Sequence, residues 1–393
     1  MSSNFFRIRL NLISGILVAL FWVTSVATSL QAQTDTLTPS QQSKFQKLIQ
    51  NFDASVYIDA YSSFVLNDPS GDTSNLMEFA ANSPFTDEFR LNVASIWLEY
   101  NSKNIRGKFI AQFGDIPNLR ASTEEQFVKY MKEAHFGFRA YKRIWVDIGY
   151  LPNPIGYESS FPILNQISTV TVGGYFETGN FLGVKISGQI TPSLFAGIYV
   201  GNQYSLAFGK NKRIYGGVTV LYSYKDIFSV NYNNMIGNAS IVTSKVNHFY
   251  LYNNVILTVT PTKNLLLVGQ ADFGVFGNSV KPPDTTATAS GISGFIQATY
   301  RFTKWFALSL RGEFLNDPDG AVTPLYAYDG KLHGLLTYGG TAGVEFNPVK
   351  NSYVRAEYSY LSADKDNYIF NSMLSTNRHS ITFTAGLRFG SFQ

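Results

Sequence analysis

The chain contains no cysteine. That excludes a disulfide framework, thiolate chemistry and the lipid-bearing cysteine of an exported lipoprotein. It has four histidines, His135, His248, His333 and His379, on separate segments without ligand spacing, so no zinc site is expected. Charged side chains make up 15% of the sequence, against roughly 25% in ordinary globular domains. Net charge is only +4, which rules out the concentrated basic face that nucleic acid requires. No phosphate-binding Gly-Lys loop occurs. Beyond the first 33 residues there is no run of about 18 apolar residues, so helical membrane spans are excluded as well.

What is present begins with an export signal. Arg7 and Arg9 form a charged start, residues 13–26 (ISGILVALFWVTSV) form an apolar core, and small and polar residues follow to a cut near Ala32. A membrane anchor is the weaker reading, because the apolar run is short and lacks a stop-transfer flank. Removing residues 1–33 leaves about 360 residues, natural for one large barrel. Residues 34–51 form a polar leader. Phe45, Leu48, Ile49 and Phe52 are spaced for a short helix over 39–51, either a plug or partner helix or a lead-in at the rim.

From residue 52 to 393 the chain reads as one barrel. Sixteen segments alternate apolar and polar residues, near 53–66, 87–101, 105–116, 131–141, 144–152, 177–190, 193–204, 212–224, 227–236, 245–260, 264–276, 290–302, 305–316, 334–347, 352–363 and 377–389. Alternation gives each strand two unlike faces. In 305–316, Phe306, Leu308, Leu310 and Phe314 oppose Ala307, Ser309, Arg311 and Glu313. Tight polar turns (102–104, 142–143, 191–192, 225–226, 261–263, 303–304 and 348–351) alternate with longer loops (67–86, 117–130, 153–176, 205–211, 237–244, 277–289, 317–333 and 364–376). An even strand count with one trimmed and one elaborated end predicts an all-β fold: a transmembrane antiparallel up-and-down barrel, with short periplasmic turns and long extracellular loops. Aromatics are 15% of the sequence, yet mean hydropathy is only −0.03. A wall with one face in lipid and one in water reconciles the two. Trp97, Trp145 and Trp305 are expected in aromatic girdles at the membrane interfaces.

Charges on the lipid face would each cost about 2–4 kcal/mol for Arg or Lys at the midplane. The candidate lumen-facing charges are therefore Arg106, Lys108, Arg139, Asp147, Lys185, Arg301, Arg311, Glu313, Glu345, Arg355, Glu357 and Arg388, with Asp59 and Asp272 alongside. They either set a transverse field between opposed basic and acidic rows or form an ion-paired lining. Near-neutral overall charge predicts weak ion selectivity. Loop 153–176 carries Pro154, Gly156 and Pro162 and would expose apolar side chains if it stood free, so it either folds into the mouth or packs on its neighbours as a rim loop. Glu158, Phe161, Ile163 and Leu164 are its constriction candidates. The Asp-Pro segments 67–72 and 316–320 could be calcium loops, but they fit ordinary turn chemistry better.

Residues 94–100 (ASIWLEY), 144–160 (IWVDIGYLPNPIGYESS), 176–191 (FETGNFLGVKISGQIT), 311–320 (RGEFLNDPDG) and 353–361 (YVRAEYSYL) together resemble the OmpL-like β-barrel porins of Gram-negative, Bacteroidota-type outer membranes. The C-terminal strand resembles the insertion signal of such barrels, though Gln393 follows Phe392 at its end. The resemblance implies an outer-membrane barrel with pore activity and supplies no ligand; a sixteen-stranded barrel with a polar lumen is expected to pass small hydrophilic solutes by diffusion. The resemblance also supplies no functional residues to carry over, and from the residues themselves no enzyme activity, catalytic residue, metal or cofactor is expected. Outer-membrane lipid and solutes are the expected partners, nucleic acid is not, and homo-oligomerisation is open. A plugged barrel acting as scaffold, adhesin or surface-complex partner is the alternative. A lipid-active enzyme using His135 is a more distant one.

Overall fold

The computed structural model describes residues 50–67, 75–120, 126–202, 214–238, 249–280, 286–367 and 375–390. The signal sequence, nearly all of the leader, and loop residues 68–72 lie outside these. The strands are β1 Phe52–Val65, β2 Phe89–Asn101, β3 Ile105–Phe113, β4 Met131–Tyr141, β5 Ile144–Leu151, β6 Phe181–Thr191, β7 Leu194–Asn202, β8 Ile214–Tyr224 and β9 Phe228–Asn238. They continue as β10 Phe249–Thr262, β11 Leu265–Phe276, β12 Ala289–Arg301, β13 Phe306–Asp317, β14 Tyr326–Tyr328, β15 Lys331–His333, β16 Leu335–Phe346, β17 Ser352–Asn367 and β18 Ser375–Gly390.

Sixteen of these close into one antiparallel barrel in which each strand neighbours the next. β14 and β15 stand apart as a small hairpin within the loop between β13 and β16. The ring closes where β1 pairs with β18, from Ser55 opposite Gly390 to Val65 opposite Ser380. Closure leaves no open sheet edge, which a bilayer would not tolerate.

The alternation sorts as an inside-out protein requires. On β13, Ala307, Ser309, Arg311 and Leu315 are buried, whereas Leu310 and Phe314 are exposed. On β18, Ser380, Thr382 and Thr384 are buried and Phe383, Leu387 and Phe389 exposed. The outer surface is a continuous apolar wall, with Ile296 exposed to 74%. A water-soluble monomer does not sustain so large a patch.

At the short-turn end, aromatic rings ring the outside. Trp305 stacks on Phe346 and lies beside Phe306, and Tyr222 and Tyr224 flank Phe228. Trp97 and Trp145 do not join them. Trp97 is only 4% exposed and packs inside against Phe161. Trp145 shares the inward face of β5 with Asp147 and lies under the guanidinium groups of Arg106 and Arg139. Position near a turn predicts depth, but the strand's parity decides whether a ring meets lipid or lumen.

Leu310→Arg would place a cation on the lipid face of β13. It should lower unfolding stability in lipid vesicles by about 2–4 kcal/mol, read from denaturant-dependent folding. An unchanged midpoint would contradict the assignment of that face.

Candidate functional site

Residues 152–180, between β5 and β6, fold into the barrel and are fastened to its opposite side. Gly156 bends the chain at φ +89°, where a Cβ would collide with the Glu177 carboxylate. Beyond it the Tyr157 amide donates to Gln270 Oε1 on β11 at 2.7 Å. Glu158 takes the Arg311 guanidinium of β13 at 2.6 Å and accepts from the Thr171 amide at 2.9 Å. The Val172 amide donates to Glu313 Oε2 at 2.7 Å. On β17, Glu357 accepts from the Ser168 and Thr169 amides at 2.5 and 3.0 Å. Arg355 donates to the Pro162 carbonyl at 2.9 Å and the Asn165 carbonyl at 2.5 Å. Ser168 Oγ meets Thr384 Oγ1 of β18 at 2.8 Å. Buried amides and carbonyls in a loop need such partners, because no water replaces them.

The loop's four singled-out residues have different fates. Glu158 is a buried ion-pair partner. Phe161 is 3% exposed and wedges against Tyr57 and Trp97. Ile163 packs at the margin of that cluster, and its amide donates to the Tyr57 hydroxyl at 3.1 Å. Leu164 is 53% exposed and faces open space.

Most of the singled-out wall charges lie in two groups, each of mixed sign. On β2–β6, Arg106 binds Asp147 at 2.5 Å, and Lys108 sits 3.6 Å from both Glu99 and Glu133. Lys185 stands opposite Asp147 in register, and Arg139 lies over Trp145. On β12–β17, Glu345 joins Arg301 at 2.9 Å to Arg355 at 2.7 Å, while Arg311 and Glu313 face the loop. Arg388 donates to Ser55 Oγ at 3.0 Å and covers Trp97. Acids and bases alternate on the same wall instead of facing one another in opposed rows. Much of the β12–β17 group is engaged in holding the loop.

The sequence did not reveal that a second segment also turns inward. In residues 75–88, Met77, Phe79, Asn82 and Ser83 are buried. Phe79 packs on Tyr175 and Phe176, and Asn82 Nδ2 donates to the Ser168 carbonyl at 3.0 Å. The Arg378 guanidinium binds the Glu78 carbonyl at 2.7 Å. Burial pushes the Glu78 carboxyl above its usual range, and the Arg378 charge works against that. The available signal was the run of apolar residues Leu76, Met77, Phe79 and Phe85 in a supposed extracellular loop. The other Asp-Pro segment is a turn: the Asp317 carboxylate accepts the amides of Ala321, Val322 and Thr323 at 2.8–2.9 Å.

Inward Gly386 lies between Asp59 and Tyr353 in register, and its missing Cβ admits the Tyr353 ring. The Tyr353 hydroxyl thereby reaches Asp59 across β18 and meets the Tyr57 hydroxyl at 2.8 Å. Below the loop, toward the short turns, a cavity of about 660 Å³ opens beside Leu164, Asn165, Arg301 and Arg388.

The family described as putative beta-barrel porin-2, OmpL-like, matches residues 51–389. Solved structures share the fold at low identity. Salmonella typhi OmpF in complex with daunomycin is 12% identical at a TM-score of 0.58, covering 86% of this chain and 97% of its own. An anion-selective porin from Comamonas acidovorans is 10% identical at 0.56, covering 86% and 99%. The outer-membrane channel DcaP of Acinetobacter baumannii is 10% identical at 0.56, covering 86% and 97%. No curated protein matches the sequence.

Arg355→Ala removes three anchors of the loop, the bonds to the Pro162 and Asn165 carbonyls and to Ser168 Oγ, and leaves Glu345 with Arg301 as its partner. Because Glu345 keeps Arg301, the cost falls mainly on the loop, whose buried carbonyls lose their donor at about 1–3 kcal/mol each. Hydrogen exchange should accelerate across residues 162–169 while the amides of β9 and β10 keep their protection. Unchanged exchange in the loop would show that the other contacts suffice.

Proposed function

The chain belongs to the OmpL-like β-barrel porin family and is a porin of the Gram-negative outer membrane; from that premise we propose that small hydrophilic solutes diffuse passively through the space left beside loop 152–180. The observation that carries this is the loop's attachment to β11, β13, β17 and β18 by side-chain bonds within a polar wall. A polar lumen lets a solute keep hydrogen-bonding partners as it sheds water, and a fixed loop sets the size that passes. At about sixteen strands the barrel is wide enough to need such a filler to be selective.

Diffusion asks no chemical step of the chain, and we assign it no enzymatic role. His135, the candidate of the lipid-enzyme reading, sits 3.3 Å from Glu133 in the ion-paired group of the β2–β6 wall. We also take residues 1–33 as a cleaved export signal, 34–51 as a periplasmic lead-in, and the barrel as able to self-associate through its lipid face.

Planar bilayers test the reading. The refolded mature protein should give discrete conductance steps. Replacing Glu158 with Gln and Arg311 with Met together removes the pair that ties the loop to β13, and should raise the single-channel conductance as the loop loosens. A folded barrel with no conductance in either form would defeat the proposal.

A further inference from the structure

Overall charge says little about selectivity, because the charges are unevenly placed. The cavity below the loop is lined by five cationic side chains, Arg301, Lys304, Lys350, Arg355 and Arg388, against a single carboxylate, Glu345. That carboxylate is already shared between Arg301 at 2.9 Å and Arg355 at 2.7 Å. Lys304 and Lys350 are exposed and come from the two neighbouring short turns that precede β13 and β17. Arg388 holds its guanidinium in place through Ser55 and Trp97. The roof is loop 152–180 itself, with Leu164 exposed toward the cavity.

Such an arrangement is net cationic and concave. Low-dielectric walls focus the field of grouped charges into the enclosed water and raise the local counter-ion concentration. We propose that this short-turn vestibule collects small anions, those carrying carboxylate, sulfonate or phosphate groups, and that the porin therefore favours anionic solutes. The proposal rests on the porin reading for its transport consequence, but the vestibule's potential can be measured without any conductance.

The absence of cysteine makes that measurement clean. Leu164→Cys introduces a unique thiol at an exposed position on the cavity roof. In the refolded full mature chain, its rate with an anionic sulfonatoethyl methanethiosulfonate is compared with that of a cationic trimethylammonium-ethyl reagent, each normalised to a free thiol. The anionic reagent should be favoured by about tenfold at low ionic strength. The preference should shrink as salt shortens the Debye length. Lys304→Glu with Lys350→Glu leaves three cations against three carboxylates and should bring the ratio down to about one, with the fold checked by heat-modifiable migration. A ratio at or below one with both lysines in place, or a ratio indifferent to those two substitutions, overturns the proposal.

Reversal potential in a potassium chloride gradient gives the second arm. Chloride preference that weakens in the double variant supports the proposal. Conductance without preference, or with potassium preference, overturns it and leaves the pore reading standing. No conductance defeats the pore reading instead, and the thiol rates then decide the vestibule alone.

Discussion

Everything in this barrel follows from one constraint: within a bilayer a backbone amide or carbonyl has no water to bond, so every strand needs a partner on both sides. The constraint is met only if the first strand finds the last. The pairing of β1 with β18 is thus the bond on which the other strand pairs rely for a stable position. It also dictates polarity. Once the ring is shut, one face of every strand meets lipid and the other the enclosed space, and chemistry must follow parity along the chain.

Inside, the same shortage of water recurs on a smaller scale. The two inward-turned segments carry their own amides and carbonyls into the lumen, and the wall supplies their partners. Glu357, Arg355, Arg311 and Gln270 act toward the loop as capping residues act toward a helix end. Buried charges are costly when unpaired and are kept here by dense hydrogen bonding. Charge that looks from its spacing like pore lining is in large part structural. At the short-turn mouth Arg301 and Arg388 are held by wall side chains, through Glu345, Asn347 and Ser55.

Much of the architecture was legible because its cause is periodic. Leu310 next to Arg311, or Phe383 next to Thr384, announces which way each residue faces, and the alternation of short and long connections announces the ring. Proline and glycine in loop 152–180, together with Phe161 and Ile163, pointed to a segment that could not stand in water. What was not legible depends on long-range partners. Trp97 reads as an interfacial ring until Phe161 is seen to arrive from another part of the chain. The inward turn of residues 75–88 needs Tyr175 and Phe176 as its landing place. The hairpin β14–β15 is too short for its alternation to stand out from a loop. The bias of the vestibule is hidden because Lys304 and Lys350 look like ordinary turn residues until β13, β16 and β17 set their turns side by side.

The anchors of loop 152–180 also impose an order of assembly. The loop is made early, between β5 and β6, but its seats on β13, β17 and β18 are made late. Its contact with Tyr57 belongs to a cluster shared with Tyr353 and Asp59, which forms only when the two ends of the chain meet. Until then the loop has only its contacts with Tyr57 and Trp97, on strands that precede it in the chain. The full set of seats for the loop is therefore complete only when the ring is closed. A barrel caught before closure would lack both its seam and its filter.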